Sequence, residues 1–136
     1  MGKITVYNTK LEDHTSSEGA CFYIGRSKHG NPLGSPFTHN GKRSNLAKLS
    51  FKTREEAINA YRMYFEKAYG NDIELTNAFD EIYEHYKNGE DIWLGCFCKP
   101  EPCHGDVIAE ELQKKLLKEK MEEMRNARLA RKEQDT

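Results

Sequence analysis

The chain has 136 residues, of which 37% are hydrophobic and 32% charged, with a formal net charge of −1. That length suits one domain with a single core. The near-neutral charge argues against general affinity for nucleic acid, and no apolar stretch approaches the length of a transmembrane helix.

Lys3–Asn8 alternates β-branched and aromatic residues and reads as a first strand. The polar segment LEDHTSSEG is a loop, and the apolar Ala20–Ile24 a second strand. From Gly25 to Ser50 regular patterning fades among Gly25, Gly30, Gly34, Gly41, Pro32 and Pro36, so a long structured loop is expected, with one short helix near Leu46. Thr53-Arg54-Glu55-Glu56 is a capping box that opens a helix with Ala57, Ile58, Tyr61, Tyr64, Phe65 and Ala68 on one face. Gly70 stops it. A second helix carries Leu75, Phe79, Ile82 and Tyr86 and ends at Asn88-Gly89. The aromatic residues of both helices fall at core spacing, not as a base-stacking platform. Ile92–Phe97 is the most apolar segment and reads as a central strand buried on both faces. A helix starts near Gly105, with Val107, Ile108, Leu112, Leu116 and Met121 as its inward stripe. Beyond Met121 the sequence EEMRNARLARKEQDT reads as a solvated, charged helix.

Alternating strands and helices predict an α/β fold: a small layered domain with a mainly parallel central sheet flanked by helices, plus a long charged C-terminal helix. The expected organisation is one domain over residues 1–120 and a helical extension over 121–136, through which a homo-oligomer could form. In such folds ligands bind beyond the carboxyl ends of strands, which points to the loops after Ile24 and Phe97.

Charge is distributed unevenly. From Gly19 to Arg54 there is no Asp or Glu, while Arg26, Lys28, Lys42, Arg43, Lys48, Lys52 and Arg54 fall in that stretch. A basic third on an otherwise acidic chain suggests a focused anion site. Three of the four cysteines lie in DIWLGCFCKPEPCHGDVIAEEL. The opening MGKITVYN lacks a signal-peptide core, so the cytoplasm is the expected location. Thiols stay reduced there, and clustered cysteines favour metal binding or reactivity over a disulfide.

Three chemistries fit the cluster. In the first, the start of the last helix and Lys99 hold a phosphate or carboxylate, with Arg26 and the Gly30-Asn31 amides contributed by the other loop. Gly105 would let backbone approach closely. In the second, Cys96, Cys98, Cys103 and His104 form a zinc site, although one residue between the first two cysteines departs from the usual two. In the third, Cys103 is a reactive thiol at a helix N-terminus beside His104, with Asp106 the candidate to orient the imidazole. Against all three stands the reading of Cys96 and Cys98 as small core residues that end a strand. Cys21 reads as core. His14, His39 and His85 read as surface groups, and His29 as a loop residue to test.

Two motifs in order, Ile24-Gly25-Arg26 with Gly30-Asn31-Pro32, and Leu94 to Ile108 with its C-x-C-K-P-x-P-C-H-G-D string, resemble the domain-of-unknown-function family 4326 (DUF4326). These are small proteins of bacteria and often of their phages. The resemblance covers about Val6 to Leu117 and departs from the family at His29, where Trp is frequent. It implies no particular reaction, and it fits a phage accessory protein acting in the host cytoplasm.

The expected function is binding of a nucleotide-like or ADP-ribose-like anion between the Gly25–Pro32 and Cys98–Asp106 loops, to sequester or process a nucleotide signal. Gly25, Arg26, Gly30, Asn31, Lys99, Cys103, His104 and Gly105 are the ligand-binding candidates. The alternatives are an enzyme acting on a nucleoside or nucleotide through Cys103, His104 and Asp106, and a zinc-stabilised interaction module. No cofactor is assigned beyond that zinc, and neither a membrane nor sequence-specific DNA is expected as a partner.

Overall fold

The computed structural model describes residues 2–14, 17–25, 31–34, 37–38, 49–50, 53–96 and 103–134. Three strands, β1 (Ile4–Asn8), β2 (Ala20–Tyr23) and β5 (Ile92–Cys96), form a parallel sheet in the order β1-β5-β2. Between β2 and β5 in sequence come β3 (Phe37–Thr38), β4 (Leu49–Ser50), α1 (Arg54–Ala68) and α2 (Ile73–Lys87), and α3 (His104–Gln134) follows β5. The fold is therefore α/β with a parallel sheet and a long C-terminal helix. β3 and β4 form a separate two-stranded parallel pair inside the expected long loop. The short helix expected near Leu46 lies outside the described residues, as do Phe97, His29 and His39.

Register places the site. Asn8 pairs with Cys96, and Tyr23 with Gly95, so all three carboxyl ends reach one edge. Side chains alternate across a strand. On β5, Ile92, Leu94 and Cys96 therefore join one core with Tyr61, Phe65, Phe79 and Ile82 of the first two helices and Val107, Ile108 and Leu112 of α3. The opposite face carries Trp93 and Gly95 and is covered by side chains instead of a helix. His14 stacks on Trp93 with centroids 3.9 Å apart, and Tyr7 meets His14 edge-on at 4.7 Å. The Tyr7 hydroxyl lies 3.0 Å from the Cys21 thiol on that face. His14 is thus a packed ring and not a surface group, and Cys21 is half-buried and outside the helix-side core. Among the described residues, β5 is covered by a helix layer on one face and by side chains of the preceding loop and strands on the other.

Local chemistry sets the helix ends. The Thr53 hydroxyl oxygen accepts from Glu56 N–H at 3.1 Å, and the Asp72 carboxylate accepts from Leu75 N–H at 3.1 Å. Gly70 and Gly89 both take φ +89°, the left-handed geometry that ends α1 and α2. Lys115 on α3 joins the three helices. Its Nζ donates to the Tyr69 hydroxyl at 2.6 Å and to Asp80 Oδ1 at 3.1 Å, and lies 4.6 Å from the Tyr83 ring centroid. Met121, expected on the inward stripe, is 61% exposed. Five residues after Leu116 a helix has turned about 140° away from the core face.

These buried rings imply an alkaline limit. Burial pushes the hydroxyls of Tyr7, Tyr61 and Tyr83 above the usual tyrosine range. Burial pulls Lys115 down, but its bonds to Tyr69 and Asp80 outweigh that, and its pKa ends raised. Groups raised by folding lend stability that is complete below their unfolded values and lost as pH climbs toward the folded ones. Denaturant midpoints followed by Trp93 fluorescence should be level from neutrality to about pH 9.5 and fall above about pH 10. Level stability through about pH 11 would contradict this.

Candidate functional site

The carboxyl edge of the sheet is closed by the first turn of α3. Cys103 is the residue before the helix, and Asp106 is three residues on. The Asp106 Oδ2 atom accepts from Cys103 N–H at 3.1 Å, while Asp106 N–H donates to the Cys103 carbonyl at 3.0 Å. This is the return half of a capping box. Asp106 thereby acts on backbone at the helix start. We expect Asp106→Ala to cost about 1 kcal/mol of stability in chemical denaturation.

His104 is the first helical residue and is only 9% exposed. Its Nε2 lies 2.6 Å from the Ile24 carbonyl oxygen. A carbonyl only accepts, so Nε2 carries the proton, and in the neutral ring Nδ1 is the basic nitrogen. The ring also meets Tyr61 edge-on at 5.0 Å. Ile24 N–H donates to the Gly95 carbonyl at 2.9 Å, so the exit of β2 is fastened to β5 on one side and to α3 on the other. The start of the Gly25–Pro32 loop therefore meets the end of the Cys98–Asp106 loop.

Gly105 faces the sheet. A Cβ there would stand 2.8 Å from Ile24 Cδ1 and 2.8 Å from Val6 Cγ1, so the missing side chain is what lets α3 pack this closely. Gly25 lies beneath the Tyr23 ring, where a Cβ would fall 2.6 Å from Cζ. Asn31 spends its amide on backbone. Its Nδ2 donates to the Tyr23 carbonyl at 2.8 Å, and its Oδ1 accepts from Leu33 N–H at 3.1 Å. It thus closes the loop between residues 25 and 31. Tyr61, which sequence reasoning placed only in the core, donates its buried hydroxyl to the Leu33 carbonyl at 2.8 Å and ties this loop to His104. Nothing in its helical spacing separates that role from ordinary packing.

The thiols of Cys96 and Cys103 lie 3.3 Å apart and are 1% and 2% exposed. That separation is a thiol contact, well beyond the S–S bond of about 2.05 Å. Neither sulfur faces open solvent. Among the described residues, no three His, Cys, Asp or Glu side chains converge as a metal-binding set. The structure thus brings Cys96, Cys103, His104, Gly105 and Asp106 together beside Gly25, with Asn31 clamping the neighbouring loop. Arg26, Gly30, Cys98 and Lys99 lie outside the described residues.

Among curated proteins, the chain is 39% identical over 57 residues to the "Uncharacterized 12.4 kDa protein in nrdA-td intergenic region" of Enterobacteria phage T4. The match covers 42% of this chain and 46% of that protein, so the chain spans about half the length of this relative. No solved structure matches. The profile of the domain of unknown function DUF4326 matches residues 7–114, a span that takes in β2, β5, the end of β1 and the His104 junction. The chain belongs to the DUF4326 family.

Proposed function

We propose that the carboxyl edge of the sheet binds a nucleotide-like or ADP-ribose-like anion between the Gly25–Pro32 and Cys98–Asp106 loops. The observation that carries this reading is the 2.6 Å bond from His104 Nε2 to the Ile24 carbonyl, which seats a helix N-terminus beside the exit of a parallel strand. First-turn N–H groups and the helix dipole favour an anion at that place. Arg26 and Lys99 supply the fixed positive charge, and Nδ1 of His104 supplies a proton-accepting nitrogen. Asn31 shapes the loop by holding backbone, and Gly25 leaves room for the Tyr23 ring. Kinship with a phage protein supports an accessory role in an infected host cell, where such a site would sequester or process a nucleotide signal.

The test is a thermal-shift screen of mono- and dinucleotides, ADP-ribose included. A ligand at 100 times its Kd should raise stability by about 2.7 kcal/mol. Arg26→Ala and Lys99→Ala should each weaken that ligand at least about tenfold, the loss of one charge-assisted contact. A screen without a saturable stabiliser would overturn the reading.

A second reading rests on the 3.3 Å contact between the Cys96 and Cys103 thiols. Two adjacent sulfurs could serve one zinc ion, with Cys98 as a further thiolate ligand. Native mass spectrometry of gently purified protein distinguishes the two. A zinc-sized increment lost on acidification favours the metal centre, and a retained nucleotide-sized adduct favours the anion site.

A further inference from the structure

The fold brings the Cys96 and Cys103 thiols into contact at 3.3 Å from two different elements. Cys96 ends β5, where its carbonyl accepts from Thr9 N–H at 2.9 Å. Cys103 directly precedes α3, where Asp106 holds both its N–H and its carbonyl. Both backbones are therefore anchored, and the sulfurs remain adjacent. They need to close by only about 1.3 Å to reach the S–S bond of about 2.05 Å, a shift that side-chain rotation covers. The remaining cysteines are Cys98 and Cys21, and the Cys21 thiol faces the Tyr7 hydroxyl on the opposite side of the sheet.

We infer that Cys96 and Cys103 are a reversible redox switch, a dithiol at rest and a disulfide after reaction with a small peroxide. The Cys103 sulfur attacks one peroxide oxygen, the O–O bond breaks, and the thiol proton leaves in a first water, which gives a sulfenic acid. The Cys96 sulfur then attacks the Cys103 sulfur, the S–O bond breaks, and the Cys96 proton leaves in a second water. Two electrons pass from the thiols to the peroxide. Burial to 1% and 2% exposure favours an oxidant this small over bulky reagents, and the neighbouring thiol captures the sulfenic acid before it oxidises further. An external thiol reverses the bond by exchange. The disulfide fastens the end of β5 to the start of α3 and closes the segment that carries Lys99 into a ring. Through that restraint oxidation acts on the anion site, a consequence that rests on the function proposed above.

Intact-mass spectrometry of the full chain after stoichiometric hydrogen peroxide tests the switch. The protein should lose the mass of two hydrogens and regain it with dithiothreitol. Chymotryptic cleavage after Phe97 separates Cys96 from the peptide that holds Cys98 and Cys103. Tandem spectra should join Cys96 to Cys103 and show Cys21 and Cys98 alkylated. Cys98→Ser should oxidise like the parent, and Cys103→Ser should not form the bond. If the serine at position 103 prevents folding, the peptide map of the parent decides alone. A bond to Cys98 or Cys21, oxygen adducts in place of the bond, or no reaction would overturn the inference. Oxidation that proceeds only after a chelator would assign the pair to a metal and overturn it too. The two redox forms should bind the ligand from the nucleotide screen with affinities at least about threefold apart. Equal affinities would overturn the switch and leave the anion site standing, whereas a screen without a ligand overturns the site and leaves the peptide map to decide the bond.

Discussion

Gly105→Val should destabilise the protein by about 3 kcal/mol or more, a large share of the 5–15 kcal/mol that holds a domain of this size together. The Cβ alone would sit 2.8 Å from both Ile24 Cδ1 and Val6 Cγ1. Those atoms belong to buried or half-buried side chains within the sheet–helix layer, so neither can swing into solvent. Valine adds two methyl groups and a stiff χ1 to that overlap. Alanine brings the same Cβ without the branch, and it recovers about 1 kcal/mol of helix propensity over glycine. Gly105→Ala should therefore lose only about 1–2 kcal/mol. Equilibrium urea unfolding of the three proteins checks the order. An alanine variant as stable as the parent would show that α3 does not start against β1 and β2 as described.

His104 separates structure from chemistry. His104→Ala should cost about 2–4 kcal/mol, because it strands the buried Ile24 carbonyl and opens a gap beside the Tyr61 ring. His104→Gln places an amide N–H where Nε2–H now donates, so stability should return to within about 1 kcal/mol of the parent. Glutamine does not supply the basic Nδ1 of the imidazole. Ligand affinity should accordingly stay at least about tenfold down in the glutamine variant, although the fold is restored. Denaturation and titration calorimetry on the same pair of variants read the two effects apart. Equal destabilisation by alanine and glutamine would mean that the Ile24 bond contributes nothing.

What could be seen in the sequence is what local chemistry dictates. Thr53, Gly70 and Gly89 mark helix ends through a cap and left-handed turns that depend on neighbours a few residues away. The strand-then-helix junction at Cys96 to Asp106 showed for the same reason, since an apolar run and a helical stripe meet there. β3 and β4 did not show, because two-residue strands carry no period. Long-range contacts were equally silent. The packing of Gly105 against Val6 and Ile24 joins residues about 80 or more apart in the chain, so no local pattern announces it. The bonds from the Asn31 amide to the backbone of Tyr23 and Leu33 likewise fall in a stretch without periodicity. His14 looked like a surface group because its partner, Trp93, is distant in the chain. Met121 was assigned inward by spacing that had already drifted off the core face.

The central claim is that an anion binds at the edge where His104 meets Ile24. Two-dimensional ¹H–¹⁵N NMR during titration with nucleotides and ADP-ribose tests it most directly. Saturable shifts of the Gly25, His104, Gly105 and Asp106 amides, absent when Arg26→Ala or Lys99→Ala is titrated, are the predicted result. Saturable shifts confined to other surfaces, or none with any of these ligands, would contradict it.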